Sequence, residues 1–128
     1  MTTFTYRETV RFRDLDALGH VNNAVFLTYM ESARTAWAMQ QGLMTGVDDL
    51  PLILARVEVD FRAPVELGET VEVTIRPGRV GTKSFDLEYE LRADGRVVAE
   101  GRSVLVGYDY AASESIPIPD EWRKLLRP

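Results

Sequence analysis

The feature that most constrains this chain is a single change of hydrophobic period. From about Asn23 to Gln41, Phe26, Met30, Ala33 and Trp37 fall on one stripe at helical spacing, with Thr28, Glu31, Ser32 and Thr35 opposite. Asn22 is placed to cap the start and Gly42 to stop the end. Almost everything else alternates with period two. Residues 4–13 read as a strand, with Phe4, Tyr6, Val10 and Phe12 on one face and Glu8 as the exception. Val57, Val59 and Phe61 alternate within 56–62; Val71, Val73 and Ile75 follow the turn at Gly68; Phe85, Leu87, Tyr89 and Leu91 form the next run. Asp94-Gly95 is a hairpin signal, and residues 97–108 read as a last, more apolar strand. Pro119 and Asp120 can open a short helix that docks through Trp122 and Leu125. One long helix against a five-stranded antiparallel sheet is an α+β layer pair. The 128 residues are expected to form one domain, 1–128.

Composition removes several kinds of chemistry. There is no cysteine, hence no disulfide framework, no thiolate-held zinc and no thiol nucleophile. His20 is the only histidine, so a metal site would lean on carboxylates. No Gly-x-Ser-x-Gly motif is present to support a serine hydrolase. A net charge of -5 argues against a broad nucleic-acid surface. The first ten residues lack the basic and apolar regions of a signal peptide, and no apolar run reaches the length of a membrane span, so the expected location is the cytoplasm.

The loop from Arg13 to Asn23 carries the chemistry. Its two carboxylates, Asp14 and Asp16, precede a helix N-terminus, where free N–H groups and the helix dipole favour negative charge. Such N–H groups can stabilise an oxyanion, and a carboxylate can activate water or attack an acyl group itself. His20 can serve as a base, contact the substrate, or fix the turn by bonding loop backbone through its ring. Glu31 is about 12 Å along the helix from Asn23 at 1.5 Å per residue. It can therefore pair with Arg34 or reach a neighbouring subunit, but it is not adjacent to Asp16 of its own chain.

With these residues in view, the stretch Asp16-Ala17-Leu18-Gly19-His20-Val21-Asn22-Asn23 resembles the 4-hydroxybenzoyl-CoA thioesterase-type hotdog family, in its acyl-CoA thioesterase branch. The likeness continues through Tyr29, Glu31 and Arg34, the Phe61-Arg62-Ala63-Pro64-Val65 block and Lys83-Ser84-Phe85. It implies a sheet wrapped around one central helix, and hydrolysis of an acyl-CoA thioester to free acid and CoA without a cofactor or metal. By resemblance Asp16 is the general base or nucleophile, and the backbone N–H of Asn23 polarises the thioester carbonyl. Arg79, Lys83 and Ser84 are the candidates for holding the nucleotide end of CoA. The resemblance also implies a homodimer or homotetramer with active sites between subunits, and it leans toward aliphatic acyl groups. Acyl carrier protein thioesters remain alternative substrates. The rivals are a hotdog dehydratase or hydratase, whose Asp-to-His spacing is not met by Asp16 and His20, and a non-catalytic acyl-CoA-binding module.

Overall fold

The structure is a computed structural model that describes residues 3–46 and 49–127. In chain order it contains β1 (Phe4–Thr9), α1 (Asn23–Gln40), β2 (Leu52–Phe61), β3 (Thr70–Val80), β4 (Ser84–Ala93), β5 (Arg96–Asp109), β6 (Glu114–Ser115) and α2 (Asp120–Leu126). Five strands form one antiparallel sheet in the order β1-β3-β4-β5-β2, and the two-residue β6 adds to β5. The sheet is therefore six-stranded rather than five-stranded. The extra strand depends on the chain returning after Tyr110, so that Tyr108 pairs with Ser115 and Asp109 with Glu114. No periodic run marks it in the sequence.

Helix α1 forms where its stripe predicts. Phe26, Met30, Ala33 and Trp37 are all buried, joined by Tyr29 and Ala38. Asn22 caps it by accepting from the Ala24 N–H at 2.9 Å, and the chain leaves it through Gly42 at φ 74°. The sheet turns one face to this helix. Val71, Val73 and Ile75 of β3 pair with Ala93, Leu91 and Tyr89 of β4, and all six are buried. Fully burying an aliphatic or aromatic side chain contributes about 1.5–3 kcal/mol, so this contact is the main source of stability. Helix and sheet approach closely at Gly101. A β-carbon there would lie 2.9 Å from both the Met30 methyl and the Glu58 carbonyl oxygen.

The first strand is shorter than its alternation predicts. It ends at Thr9, and Phe12–Asp14 form a 3-10 turn. Val10 is still buried, but Phe12 is 80% exposed, contrary to its expected place on the apolar face. The cause is the Asp14 carboxylate, which accepts from the Arg11 backbone N–H at 2.9 Å and bends the chain out of the sheet. Strand β2 starts four residues earlier than Arg56, at Leu52, with a register irregularity between Leu54 and Arg56. Strand β5 buries Ala99, Ser103, Leu105 and Gly107 on one face, while Arg102, Val104 and Val106 on the other are only half-buried. Helix α2 begins at Asp120 as expected. It docks through Trp122 and Leu126, while Leu125 is only half-buried. Asp94 (φ 50°) and Gly95 (φ 78°) form the β4–β5 hairpin. No described helix is long and apolar enough to cross a membrane.

The Asp16 end of the sheet is closed by an ion-pair clasp. Arg96 Nη1 and Nη2 donate to the two carboxylate oxygens of Glu69 at 2.7 and 2.9 Å, and Arg96 also bonds the carbonyls of Ala93 and Pro64. Glu69 in turn presents its carbonyl to the Val10 N–H, just before the loop. The Arg96 guanidinium, with help from the Glu66 backbone N–H, holds the Glu69 carboxyl down to about 2, against an ordinary 4.5. A carboxyl lowered on folding stabilises the fold above its ordinary value and loses that contribution as the pH falls through its folded value. The melting temperature is therefore expected to fall between pH 4.5 and 2. In Arg96→Gln, a thermal melt series over that range should decline less steeply, from a lower starting value.

Candidate functional site

The loop between β1 and α1 is held at both of its ends. The Val21 N–H donates to the Val65 carbonyl, and Leu15 and Val21 form an isolated bridge. Inside that bridge the Asp16 N–H donates to the His20 carbonyl and the Gly19 N–H to the Asp16 carbonyl, both at 3.0 Å. Gly19 takes φ 84°, the left-handed region that a side chain disfavours, and this lets the turn close. His20 thus fixes the turn through its carbonyl. Its ring makes no hydrogen bond to the described residues.

The two aspartates have opposite environments. Asp14 is buried, at 3% exposure. Its carboxylate accepts from the Arg11 backbone N–H, from the Arg11 guanidinium at 3.2 Å and from the Tyr29 hydroxyl at 2.8 Å. Burial pushes its carboxyl up, but the hydrogen bonds from Arg11 and Tyr29 outweigh this and hold it below the usual carboxylate range. The same contact, after burial itself, pushes the Tyr29 hydroxyl well above the ordinary phenol range. Both oxygens of the Asp14 carboxylate are engaged, and the residue is closed to solvent. Asp16 is only half-buried. One oxygen accepts from the Leu18 N–H at 2.9 Å and the other from the Asn22 side-chain amide at 3.2 Å.

Asn22 thus has two tasks, and only the cap is legible in the sequence. Its side-chain oxygen caps α1 while its nitrogen holds Asp16 against the same helix end. The next residue, Asn23, opens α1, and its backbone N–H makes no hydrogen bond to the described residues. A half-exposed carboxylate and a free backbone donor therefore sit side by side at the positive end of a helix. This pairs a group that can deprotonate or attack with one that can stabilise an oxyanion.

Arg79, Lys83 and Ser84 also come together, but elsewhere. Arg79 donates to the Ser84 hydroxyl at 2.8 Å and lies 3.5 Å from Asp86, a buried carboxylate that Arg102 also pairs at 3.0 Å. The Lys83 ammonium lies 3.5 Å from the Ser115 hydroxyl. These residues flank the β3–β4 turn. Thr70, at the other end of β3, pairs with Thr9 next to the Asp16 loop. A strand of 11 residues spans about 35 Å at 3.3 Å per residue, so the two clusters of one chain lie at opposite ends of the sheet. Glu31 pairs with Arg34 at 3.6 Å, the nearer of its two expected partners.

A cavity of about 390 Å³ opens beside β2. Its walls include Trp37, Leu52, Leu54, Leu105 and Trp122, and Glu31 and Arg34 bring charge to it. The Arg34 side chain is only 14% exposed and acts on the buried Tyr89–Ser103 hydroxyl pair. Among the described residues, no three potential metal ligands come together.

Comparison with known proteins agrees with this fold. Residues 10–126 match the family model described as the thioesterase-like superfamily. A thioesterase from Thermus thermophilus, solved with coenzyme A and zinc, is 38% identical; the match covers 98% of each chain with a TM-score of 0.84. A predicted thioesterase from Bacillus stearothermophilus is 29% identical over 98% of this chain and 95% of its own, with a TM-score of 0.91. A 1,4-dihydroxy-2-naphthoyl-CoA hydrolase of Nostoc punctiforme is 29% identical over 93% of this chain and 83% of its own. The chain belongs to the thioesterase-like superfamily, with the hotdog fold, and is an enzyme of the thioester hydrolase class.

The Asp14 anchor leads to a stability prediction. Asp14→Ala leaves the Tyr29 hydroxyl and the Arg11 donors without their acceptor. An unmet buried polar group costs about 1–3 kcal/mol. Calorimetry should show a melting point lowered by several degrees. Asp16→Ala, at a half-exposed position, should shift it much less.

Proposed function

We propose that this chain hydrolyses an acyl-CoA thioester to the free acid and CoA, with Asp16 as general base or nucleophile. The carbonyl oxygen sits against the Asn23 N–H, which takes up the charge of the tetrahedral intermediate. The observation that carries the reading is the Asp16 carboxylate fixed by Asn22 beside a helix N-terminus whose first N–H is free. His20 borders the same turn, where its ring is available to contact the thioester or the leaving thiol. Arg79, Lys83 and Ser84 bind the nucleotide phosphates, with Asp86 and Ser84 orienting the Arg79 guanidinium.

A complete site on this reading needs two copies of the chain, because its two clusters lie at opposite ends of the sheet. Strand β2 ends the sheet order with one edge free. A two-fold axis perpendicular to the sheet would pair β2 with its copy antiparallel and exchange the ends. The Phe61 end belongs with the catalytic loop, since Phe61 packs on Phe26 in the first turn of α1 at 5.3 Å. The Leu52 end belongs with the nucleotide cluster, since Leu52 pairs with Gly107, whose N–H donates to the Lys83 carbonyl. Antiparallel pairing sets one protomer's Asp16 end beside its partner's Lys83 end and its cavity. The homodimer is the smallest such assembly, and a homotetramer can be built from two of them.

The cavity bears on the acyl group. The cavity walls are mainly aliphatic, with Trp37, Tyr110 and Trp122 among them, and the nearly buried Arg34 guanidinium suits an acyl group carrying polar substituents better than a plain alkyl chain. This departs from the aliphatic lean of the loop motif. It is in line with the dihydroxynaphthoyl-CoA named for the Nostoc relative.

Thiol release from a panel of hydroxyaroyl-CoA, alkanoyl-CoA and acyl carrier protein thioesters tests the reading. Asp16→Asn should lower kcat about 100-fold or more without unfolding the protein. Wild-type turnover by that variant, or no release from any thioester, would overturn it. Lys83→Ala should raise KM for acyl-CoA at nearly constant kcat, with little effect on an acyl-pantetheine substrate. Mixing inactive Asp16→Asn with an Arg79→Ala/Lys83→Ala double variant should restore activity through dimers that carry one intact site. No gain after subunit exchange would place the two clusters in separate sites.

A further inference from the structure

The buried Asp14 contact leaves a question that packing alone does not answer. Tyr29 is completely buried on the second turn of α1, where a phenylalanine would fill the same space. Its hydroxyl reaches a carboxylate that is itself buried, and burying a charge is costly unless its hydrogen bonds are complete. Here both oxygens accept, and the bonds all act on one piece of backbone. The Asp14 carboxylate is gripped by Arg11 on one side and Tyr29 on the other. The Asp14 carbonyl accepts from the Asn22 N–H at 2.9 Å, and the Asn22 amide donates to Asp16.

We propose that Tyr29 and Asn22 are positioning residues for Asp16, linked through Asp14 into one relay that fixes the carboxylate relative to the Asn23 N–H. Each link joins the loop to the helix. Tyr29 ties the helix body to the chain two residues before Asp16. Asn22 ties the helix end both to the Asp14 backbone and to the Asp16 side chain. Carboxylate and oxyanion donor are therefore referenced to the same rigid element, and this fixes the spacing that an attacking group and a carbonyl require. Without the Tyr29 hydroxyl, Asp14 keeps Arg11, but the loop loses its tie to α1. Asp16 then samples positions from which it does not attack. Substrate binding makes no use of this tie, so the effect falls on kcat.

The proposal rests on Asp16 being the catalyst, and the experiment separates the two claims. Steady-state kinetics would use the acyl-CoA that the wild type turns over fastest. Tyr29→Phe should lower kcat about tenfold or more while KM stays within about twofold, with an unchanged circular dichroism spectrum. Asn22→Ser keeps a good helix cap but withdraws the amide from Asp16, and it should show the same split. It decides the matter alone if Tyr29→Phe does not fold. Combined with Asp16→Asn and measured in single turnover with enzyme in excess, Tyr29→Phe should add no further loss, because the relay acts only through that carboxylate. Undiminished kcat in Tyr29→Phe and Asn22→Ser overturns the relay and leaves Asp16 as the catalyst. Losses that multiply in the double variant overturn it as well, since Tyr29 would then act by another route. Full activity of Asp16→Asn by itself removes the catalytic assignment, whatever Tyr29→Phe does.

Discussion

The buried carboxylate of Asp14 is the interaction on which the rest of the active end depends. A charge at 3% exposure is costly unless it is hydrogen-bonded, and its donors come from two places, the turn that follows β1 and the second turn of α1. Meeting that demand ends the first strand, turns Phe12 outward and sets where the following loop can run. It also gives two nearly adjacent aspartates different characters. Asp14 is buried with both oxygens engaged, whereas Asp16 keeps a reachable carboxylate held by two modest contacts. One acid supplies the mould and the other occupies it.

The sheet sets the scale of the whole design. Its long strands separate the Asp16 loop and an ion-pair clasp at one end from a cationic turn at the other. Nothing in a single copy brings these ends together. The features that make a single copy look unfinished are a free β2 edge, a cavity opening beside it and an aromatic pair joining that edge to the helix start. Each is accounted for if a second copy completes the surface.

Much of this was legible in the sequence where a local rule and the tertiary fold agree. Helix α1 was readable because an Asn cap, a four-residue stripe and a terminal glycine all point the same way. The hairpin at Asp94-Gly95 was readable because few other residues accept its backbone. Local pattern misled where a distant partner decides. Alternation through Phe12 and Arg13 is good strand sequence, but a carboxylate pairing with Tyr29, fifteen positions away, bends it off. Strand β6 has no pattern of its own and exists only as a partner of β5. In the site, the motif pointed to Asp16, Asn23 and the Lys83-Ser84 turn. It could not reveal that Asn22 serves cap and carboxylate at once, because that depends on which way a single amide is turned. Nor could it reveal that the two clusters lie at opposite ends of the sheet, because that depends on β1 pairing antiparallel with the distant β3.

The contrast between a lone N–H and a full carboxylate at the head of α1 also bears on what happens after the reaction. On the proposed reading, a thioester, neutral at its carbonyl, settles against the N–H without opposition from Asp16. The acid that hydrolysis produces is an anion at neutral pH and finds itself beside a second negative charge. Two such charges about 4 Å apart repel by roughly 1 to 4 kcal/mol, depending on how much water enters. On the proposed reading, the same few atoms that admit the substrate thus weaken the hold on its product, and charge itself helps to clear the site.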